Sequence, residues 1–355
     1  MLLKRISRRI ISGSPCEGIS FSPDGSAVAF SSGCRIIVWD VYKSNRLEEL
    51  VAENCPLDKV SFSPDERWIV STSKEGAYLW QVEGGTNRPV RILDNKTTCV
   101  AFSSDGRTLA IGSDNAVVLL DVNSGRVLKT LEKHKAPISS VAFSPNGDIL
   151  VSGGYDGAVW VWDMKHHESA IPLQVLEPRQ GKAISLAFSS DGRTLVTGGC
   201  HSIQLWNANN FELLLTERMS TDANITAVAF SNDSGFVLHG DDRGTIYVRR
   251  AADGEILYAL NGGLQGVNHL ALSRDDVLAV AYQKGARLYC RADALTASVL
   301  RDGLNISAER LLVFSDMPFS LRQMGTTVRL VSRSGRKTVG EITLFSWDEN
   351  CPLWL

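Results

Sequence analysis

The chain lacks most of the features that announce a particular chemistry. Its seven cysteines, Cys16, Cys34, Cys55, Cys99, Cys200, Cys290 and Cys351, include no C-x-x-C pair, and their number is odd. That argues against a disulfide framework or a thiolate zinc site. It fits cysteine used as a small apolar filler in a reducing compartment, and a cytoplasmic protein is the expectation. No apolar run approaches the roughly 20 residues of a membrane-spanning helix. The first 15 residues are basic but carry no apolar segment of the secretory kind, so no signal peptide is expected. An excess of one charge is also missing. The 37 Lys and Arg against 39 Asp and Glu leave a formal net charge of −2, so no global field favours nucleic acid or an anionic membrane. Lys4, Arg5, Arg8 and Arg9 make the start locally basic, which reads as a solvated edge strand. Catalytic signatures are absent as well. There is no G-x-S-x-G elbow, no phosphate-binding G-x-x-x-x-G-K-[ST] and no H-E-x-x-H. No catalytic residue, metal or cofactor is therefore expected.

What the chain has is a repeat, which must be recognised before anything else is argued. "ISFSPDGSAVAFSSGCRIIVWDV" starts at Ile19, "VSFSPDERWIVSTSKEGAYLWQV" at Val60 and "VAFSSDGRTLAIGSDNAVVLLDV" at Val100. Further units start at Val141, Leu186, Val228 and Leu270. The anchors before each serine are Phe21, Phe62, Phe102, Phe143, Phe188, Phe230 and Leu272, separated by 41, 40, 41, 45, 42 and 42 residues. Within a unit, an alternating apolar segment ends at Phe-Ser and meets S-P-D-G or a variant. Proline presets φ and glycine accepts positive φ, so this is a tight hairpin. A second strand such as "ILVSGG", a Gly/Asp turn, a third strand such as "AVWVWD" and a looser fourth such as "RVLKTLE" follow. One such four-stranded sheet cannot bury both faces alone. Stacked radially, each covers its neighbour and only short edges stay exposed.

These units resemble WD40 repeats, the fourth most clearly. His134 stands nine residues before Phe143, Ser152 lies on the second strand, Asp156 in the following turn, and Trp162 with Asp163 closes the third strand. The resemblance implies a buried network His134–Ser152–Asp156–Trp162 with a structural role. Elsewhere the pattern departs from the family: Lys133 replaces the glycine of Gly-His, Leu120 holds the tryptophan position of unit three, and Arg249 that of unit six. Trp39, Trp80 and Trp206 keep the indole but their turns are altered. The complete network is expected only in unit four.

The last 55 residues test the period. Phe314-Ser315 falls 42 residues after Leu272, and "GTTVRLVSRSG" at 325–335 repeats the ten-residue glycine spacing of Gly244 and Gly254. Residues 308–347 are therefore read as a degenerate eighth unit. The expected fold is all-β, a β-propeller of eight four-stranded blades; the alternative is seven blades plus a C-terminal extension. Residues 1–10 are the expected closing strand, 11–347 the propeller and 348–355 a tail. Closure by 338–347 in place of the N-terminal strand stays open.

Blade geometry puts the second turn of every unit and the segment before its first strand on one face, and the resemblance implies that this is the partner-binding face. Its turn residues are Arg35, Lys74, Asn115, Tyr155, His201, Asp242 and Lys284. Tyr155 leads, since it directly precedes Asp156 and a rigid aromatic makes a good interface anchor. The mixed charges suit a polar peptide or protein, not nucleic acid or membrane. By resemblance, the expected function is a non-catalytic scaffold for protein–protein interaction, a subunit of a multiprotein complex. The alternative is a propeller enzyme, a hydrolase or lyase with its site at the central channel. A third possibility docks the C-terminal "WDENCPLWL" in a neighbour.

Overall fold

The computed structural model describes residues 3–5, 15–43, 45–52, 56–82, 89–165, 171–177, 182–219, 222–261, 265–291, 319–324, 327–332 and 338–343. It is all-β. Seven antiparallel sheets of four strands follow one another along the chain; in six of them consecutive strands pair, and in the seventh Leu3–Arg5 takes the fourth place beside the last strand. Blade four shows the pattern with Ile138–Phe143, Ile149–Gly154, Val159–Asp163 and Ile171–Leu176. The first strands stand side by side around the axis, and that of the seventh sheet, Val267–Leu272, packs against that of the first, Ile19–Phe21. The Cys16 N–H donates to the Tyr282 carbonyl at 3.2 Å across the same seam, and the Asn268 amide donates to the Cys16 carbonyl at 3.0 Å.

This contact closes the ring at seven, and the expected eighth blade is corrected accordingly. Once the first and seventh inner strands touch, no gap remains to admit another sheet. Phe314, the anchor proposed for that blade, lies outside the described residues. Phe319–Met324, Thr327–Ser332 and Thr338–Thr343 form a three-stranded antiparallel sheet of their own, within a second compact unit made of residues 1–6 and 289–355. In that unit Leu3–Arg5 pairs antiparallel with Tyr289–Arg291, the end of a strand of the seventh sheet and not of an eighth.

The S-P-D-G turns form because three groups satisfy one another locally. Ser22 Oγ donates to Asp24 Oδ1 at 2.6 Å, and the same oxygen accepts the Ser26 N–H at 2.9 Å. Ser103 with Asp105, Ser144 with Asn146 and Ser189 with Asp191 repeat the 2.6 Å bond. The fourth turn residue has positive φ, which glycine adopts without strain, as at Gly25, Gly106, Gly147 and Gly192. In blades two, six and seven that residue is Glu66, Ser234 or Asp276, with φ of 63°, 58° and 57°. Each of these side chains reaches the turn of the preceding blade. Glu66 accepts from the Asp24 N–H at 2.8 Å, Ser234 from the Asp191 N–H at 3.2 Å, and Asp276 from the Asn232 amide at 3.3 Å. Strain at the turn is thus offset by a bond between blades.

The core lies between sheets. Leu119, Leu131 and Cys99 of blade three pack with Leu150, Trp162 and Met164 of blade four. Val151, Val159 and Val161 on the other face of blade four pack with Leu195, Trp206 and Phe211 of blade five. Inner-strand hydroxyls seam the blades further: Ser20, Ser140 and Ser185 accept the backbone N–H of Phe62, Leu186 and Val228 in the next blade, at 3.1–3.2 Å.

Candidate functional site

A buried polar group must find partners or bear a desolvation cost, and the cores of the blades differ in how they meet it. In blade four Trp162 Nε1 donates to Ser152 Oγ at 3.0 Å, Ser152 lies 2.9 Å from His134 Nε2, and His134 Nδ1 lies 3.1 Å from both Asp156 oxygens. The directions close with the imidazole proton on Nδ1: indole to hydroxyl, hydroxyl to Nε2, Nδ1–H to carboxylate. Burial alone would raise the Asp156 pKa, but bonds from the Lys135 N–H, His134 and the Ala158 N–H hold it below the usual range. The carboxylate thereby pins both the turn and the segment that enters the blade. Every group in this chain is engaged by another protein group, an arrangement that stiffens the blade and leaves no free base.

Two partial versions occur elsewhere. Trp80 Nε1 donates to Ser71 Oγ at 2.8 Å, and Trp206 Nε1 to Thr197 Oγ1 at 3.2 Å. In blade one Phe30, which has no hydroxyl, holds the position of Ser152, and the Trp39 Nε1 is left without a partner. Blade three replaces both positions by Ile111 and Leu120 and is apolar there. Blade six holds His239 and Arg249 in the same two places. Arg249 Nε donates to His239 Nε2 at 3.0 Å, and its Nη1 to the Gly254 carbonyl at 2.7 Å, with Glu217 3.4 Å away. Burial and the adjacent guanidinium push the His239 pKa down to about 3. The ring stacks on Tyr247 with centroids 4.8 Å apart. The sequence reading missed this pair. Its signal was spacing: the second-strand partner stands nine or ten residues before the third-strand one, as Ser71 does before Trp80 and Ser152 before Trp162.

On the turn face, Tyr155 is 44% exposed. Its N–H donates to the Pro137 carbonyl at 3.0 Å, and Lys182 Nζ sits 5.3 Å from its ring centroid. Asp242 accepts from the Asn224 amide at 2.8 Å, and the His201 ring is 3.2 Å from the Ala223 carbonyl. Arg35 is bound to Glu49 at 2.7 Å. Lys74, Asn115 and Lys284 are exposed in their turns. Turns and entry segments are laced together, as where the Leu57 N–H meets the Gly33 carbonyl and the Ile138 N–H the Asp114 carbonyl, both at 2.8 Å. The seven residues are thus spread around the ring rather than gathered at one spot. Among the described residues no cluster of three or more His, Cys, Asp or Glu is placed to hold a metal ion.

Seven four-stranded sheets around a channel, with the indole–hydroxyl–imidazole–carboxylate chain of blade four, define a WD40-type β-propeller. Residues 14–289 match the model of the Nucleolar protein 10-like N-terminal domain, and the chain belongs to that β-propeller family. It is also 35% identical over 81 residues to a periodic tryptophan protein 2 homologue of Neurospora crassa, covering 22% of this chain and 9% of that one. It is 29% identical over 158 residues to WD repeat-containing protein SL1-17 of Schistosoma mansoni, covering 43% and 52%. With the target of rapamycin complex subunit wat1 of Schizosaccharomyces pombe it shares 23% over 152 residues, covering 41% and 48%. The chain thus spans from about a tenth to about half the length of these relatives. The expectation of a cytoplasmic protein is overturned by the family match, whose nucleolar name points to the nucleus instead. Cysteine usage misled here because a nuclear interior is as reducing as the cytoplasm.

Proposed function

We propose that this protein is a non-catalytic WD40 scaffold, a subunit of a multiprotein complex in the nucleus or nucleolus, that binds protein partners through its turn face. Tyr155 carries the reading. Its backbone is bonded to the Pro137 carbonyl, the neighbouring Asp156 is fixed by three hydrogen-bond donors, and Lys182 flanks the ring. An exposed aromatic that loses little freedom on binding is the kind of group that anchors an interface. Lys74, Asn115, His201, Asp242, Lys284 and Arg35 would supply the polar surround, with mixed charge tuning specificity more than strength. The relatives support the class: one is a complex subunit by name, and another a SIR4-interacting protein. The test is cross-linking and co-purification from the native host, with wild type and Tyr155→Ala side by side. A partner kept by wild type and reduced at least tenfold in the variant is expected, and equal recovery would remove Tyr155 from the interface. No partner retained under gentle conditions would count against the scaffold itself.

A further inference from the structure

The turn face divides by charge. Lys96 and Lys182 each stand immediately before a first strand, Thr97–Phe102 of blade three and Ala183–Phe188 of blade five. Lys135 belongs to the blade between them, three residues before Ile138–Phe143. All three are exposed. Three consecutive entry segments thus carry an ammonium. Immediately before the first strands of blades one, two, six and seven stand Gly18, Pro56, Asn224 and Gly266. Tyr155 is in the middle blade of this arc. Lys182 Nζ lies 5.3 Å from its ring centroid, and the Lys135 N–H is bonded to the neighbouring Asp156.

Most carboxylates of the arc are engaged already. Asp156 turns inward to His134 and to the N–H groups of Lys135 and Ala158. Asp94 is paired with Arg91 at 2.9 Å. Asp58 at the edge of the arc is half-buried, and burial pushes its carboxyl up against the pull of Lys59, Lys74 and Lys96. Asp114 is exposed in the turn of blade three, and Glu132 and Glu177 stand on the rim where outer strands end. Among the described residues no carboxylate is paired with the ammonium of Lys96, Lys135 or Lys182. Across the ring, blade six instead presents Asp222 and Asp242. That acidic pole and Asp114 would repel a polyphosphate laid over the face, and one exposed tyrosine is no stacking row. A short acidic segment confined to the arc meets neither obstacle.

We propose that this arc binds an acidic peptide segment of a protein partner. An apolar side chain of the segment lies against Tyr155, and its Asp and Glu carboxylates meet Lys96, Lys135 and Lys182. The proposal rests on the scaffold reading above and names the partner chemistry that reading leaves open. Exposed ion pairs add little strength one by one, so the aromatic anchors the segment while the lysines steer and select it.

Carbodiimide, which joins an ammonium directly to a carboxylate that touches it, tests this contact. The full chain is cross-linked in extracts of its native host, and the joined peptides are identified by mass spectrometry. Cross-links from at least two of the three lysines into one acidic segment of one partner are expected. Reversing all three charges, Lys96→Glu, Lys135→Glu and Lys182→Glu, should lower recovery of that partner roughly tenfold or more. Arginine at the same three places should keep it. Lys165→Glu, past the third strand at the other end of blade four, should change nothing. Recovery should also fall between about 0.1 M and about 1 M salt. Should charge reversal lower the melting temperature, the cross-links and the salt series read the same contact on unaltered protein. A partner lost in Tyr155→Ala but kept by the reversed variant, with no cross-link from the lysines, would overturn this proposal and leave the scaffold standing. Recovery abolished by ribonuclease would show the lysines reading RNA phosphates and would overturn it too. No partner retained by wild type would remove both readings.

Discussion

In blade four the second strand offers a hydroxyl and the third an indole; in blade six the same positions offer an imidazole and a guanidinium. Both pairs sit at the same register, each in its own sheet. Trp162 is 2% exposed and Arg249 3%, so each must settle its polar atoms inside the protein. The indole has one N–H and gives it to Ser152. The guanidinium has five, and it distributes them to His239, Gly254 and Glu217. The cost differs accordingly. Blade four leaves no donor of the pair unmatched, whereas blade six leaves His239 Nδ1 sealed without a partner. Equal geometry does not imply equal chemistry.

The largest break in this comparison is expected from Trp162→Ala, which opens a cavity between blades three and four and frees Ser152. About 3–5 kcal/mol should be lost, measured by denaturant unfolding. Arg249→Met keeps the apolar stem but leaves His239 without its donor. A loss of about 1–3 kcal/mol follows, and the His239 pKa should rise in an NMR titration because the adjacent charge is gone.

Acid separates the blades next. An unfolded histidine titrates near about 6.5, while folded His239 and His269 are held down to about 3. Between those values the unfolded chain binds protons that the folded one does not. Stability is therefore full above the unfolded value and falls as the pH drops through it, by roughly 1.4 kcal/mol per histidine one unit below. Asp156 behaves differently. Its folded pKa is depressed, so its contribution is present above the unfolded carboxyl value of about 3.9 and is lost as the pH falls through the folded pKa. Melting temperatures should thus decline between pH 7 and 5, and Asp156→Asn should leave the slope in that window unchanged.

The smallest effect concerns the turns. Glu66→Ala keeps the strained φ of 63° and loses the bond to Asp24, for about 1 kcal/mol. Glu66→Gly loses the bond but relieves the strain and should be near neutral. Equal losses in the two variants, read from the same melts, would show that φ strain plays no part.

The legible part of this molecule was whatever recurs locally. The Phe-Ser anchors marked first strands, S-P-D-G marked hairpins, and His134, Ser152, Asp156 and Trp162 stood at the spacing that now joins them by hydrogen bonds. Blade number was not legible, because a period says how far apart units lie and nothing about where a ring meets itself. That is decided by contacts such as His269 with Ile19, 250 residues apart. The tail's glycine spacing located the strand Thr327–Ser332, but a strand in register is not a blade in the ring. The Arg249–His239 pair was visible only as a missing tryptophan, since its meaning depends on two substitutions read together.

That dependence gives the most direct test. His239→Ser and Arg249→Trp, singly and combined, transplant the blade-four pair into blade six, and equilibrium unfolding of the four proteins gives the coupling between the two sites. Each single variant should be destabilised, and the double variant should recover at least about 1 kcal/mol of the summed loss, as contacting residues do. Losses that add to within about 0.5 kcal/mol would contradict the claim that the pair, and not either residue alone, is the unit around which blades four and six are built.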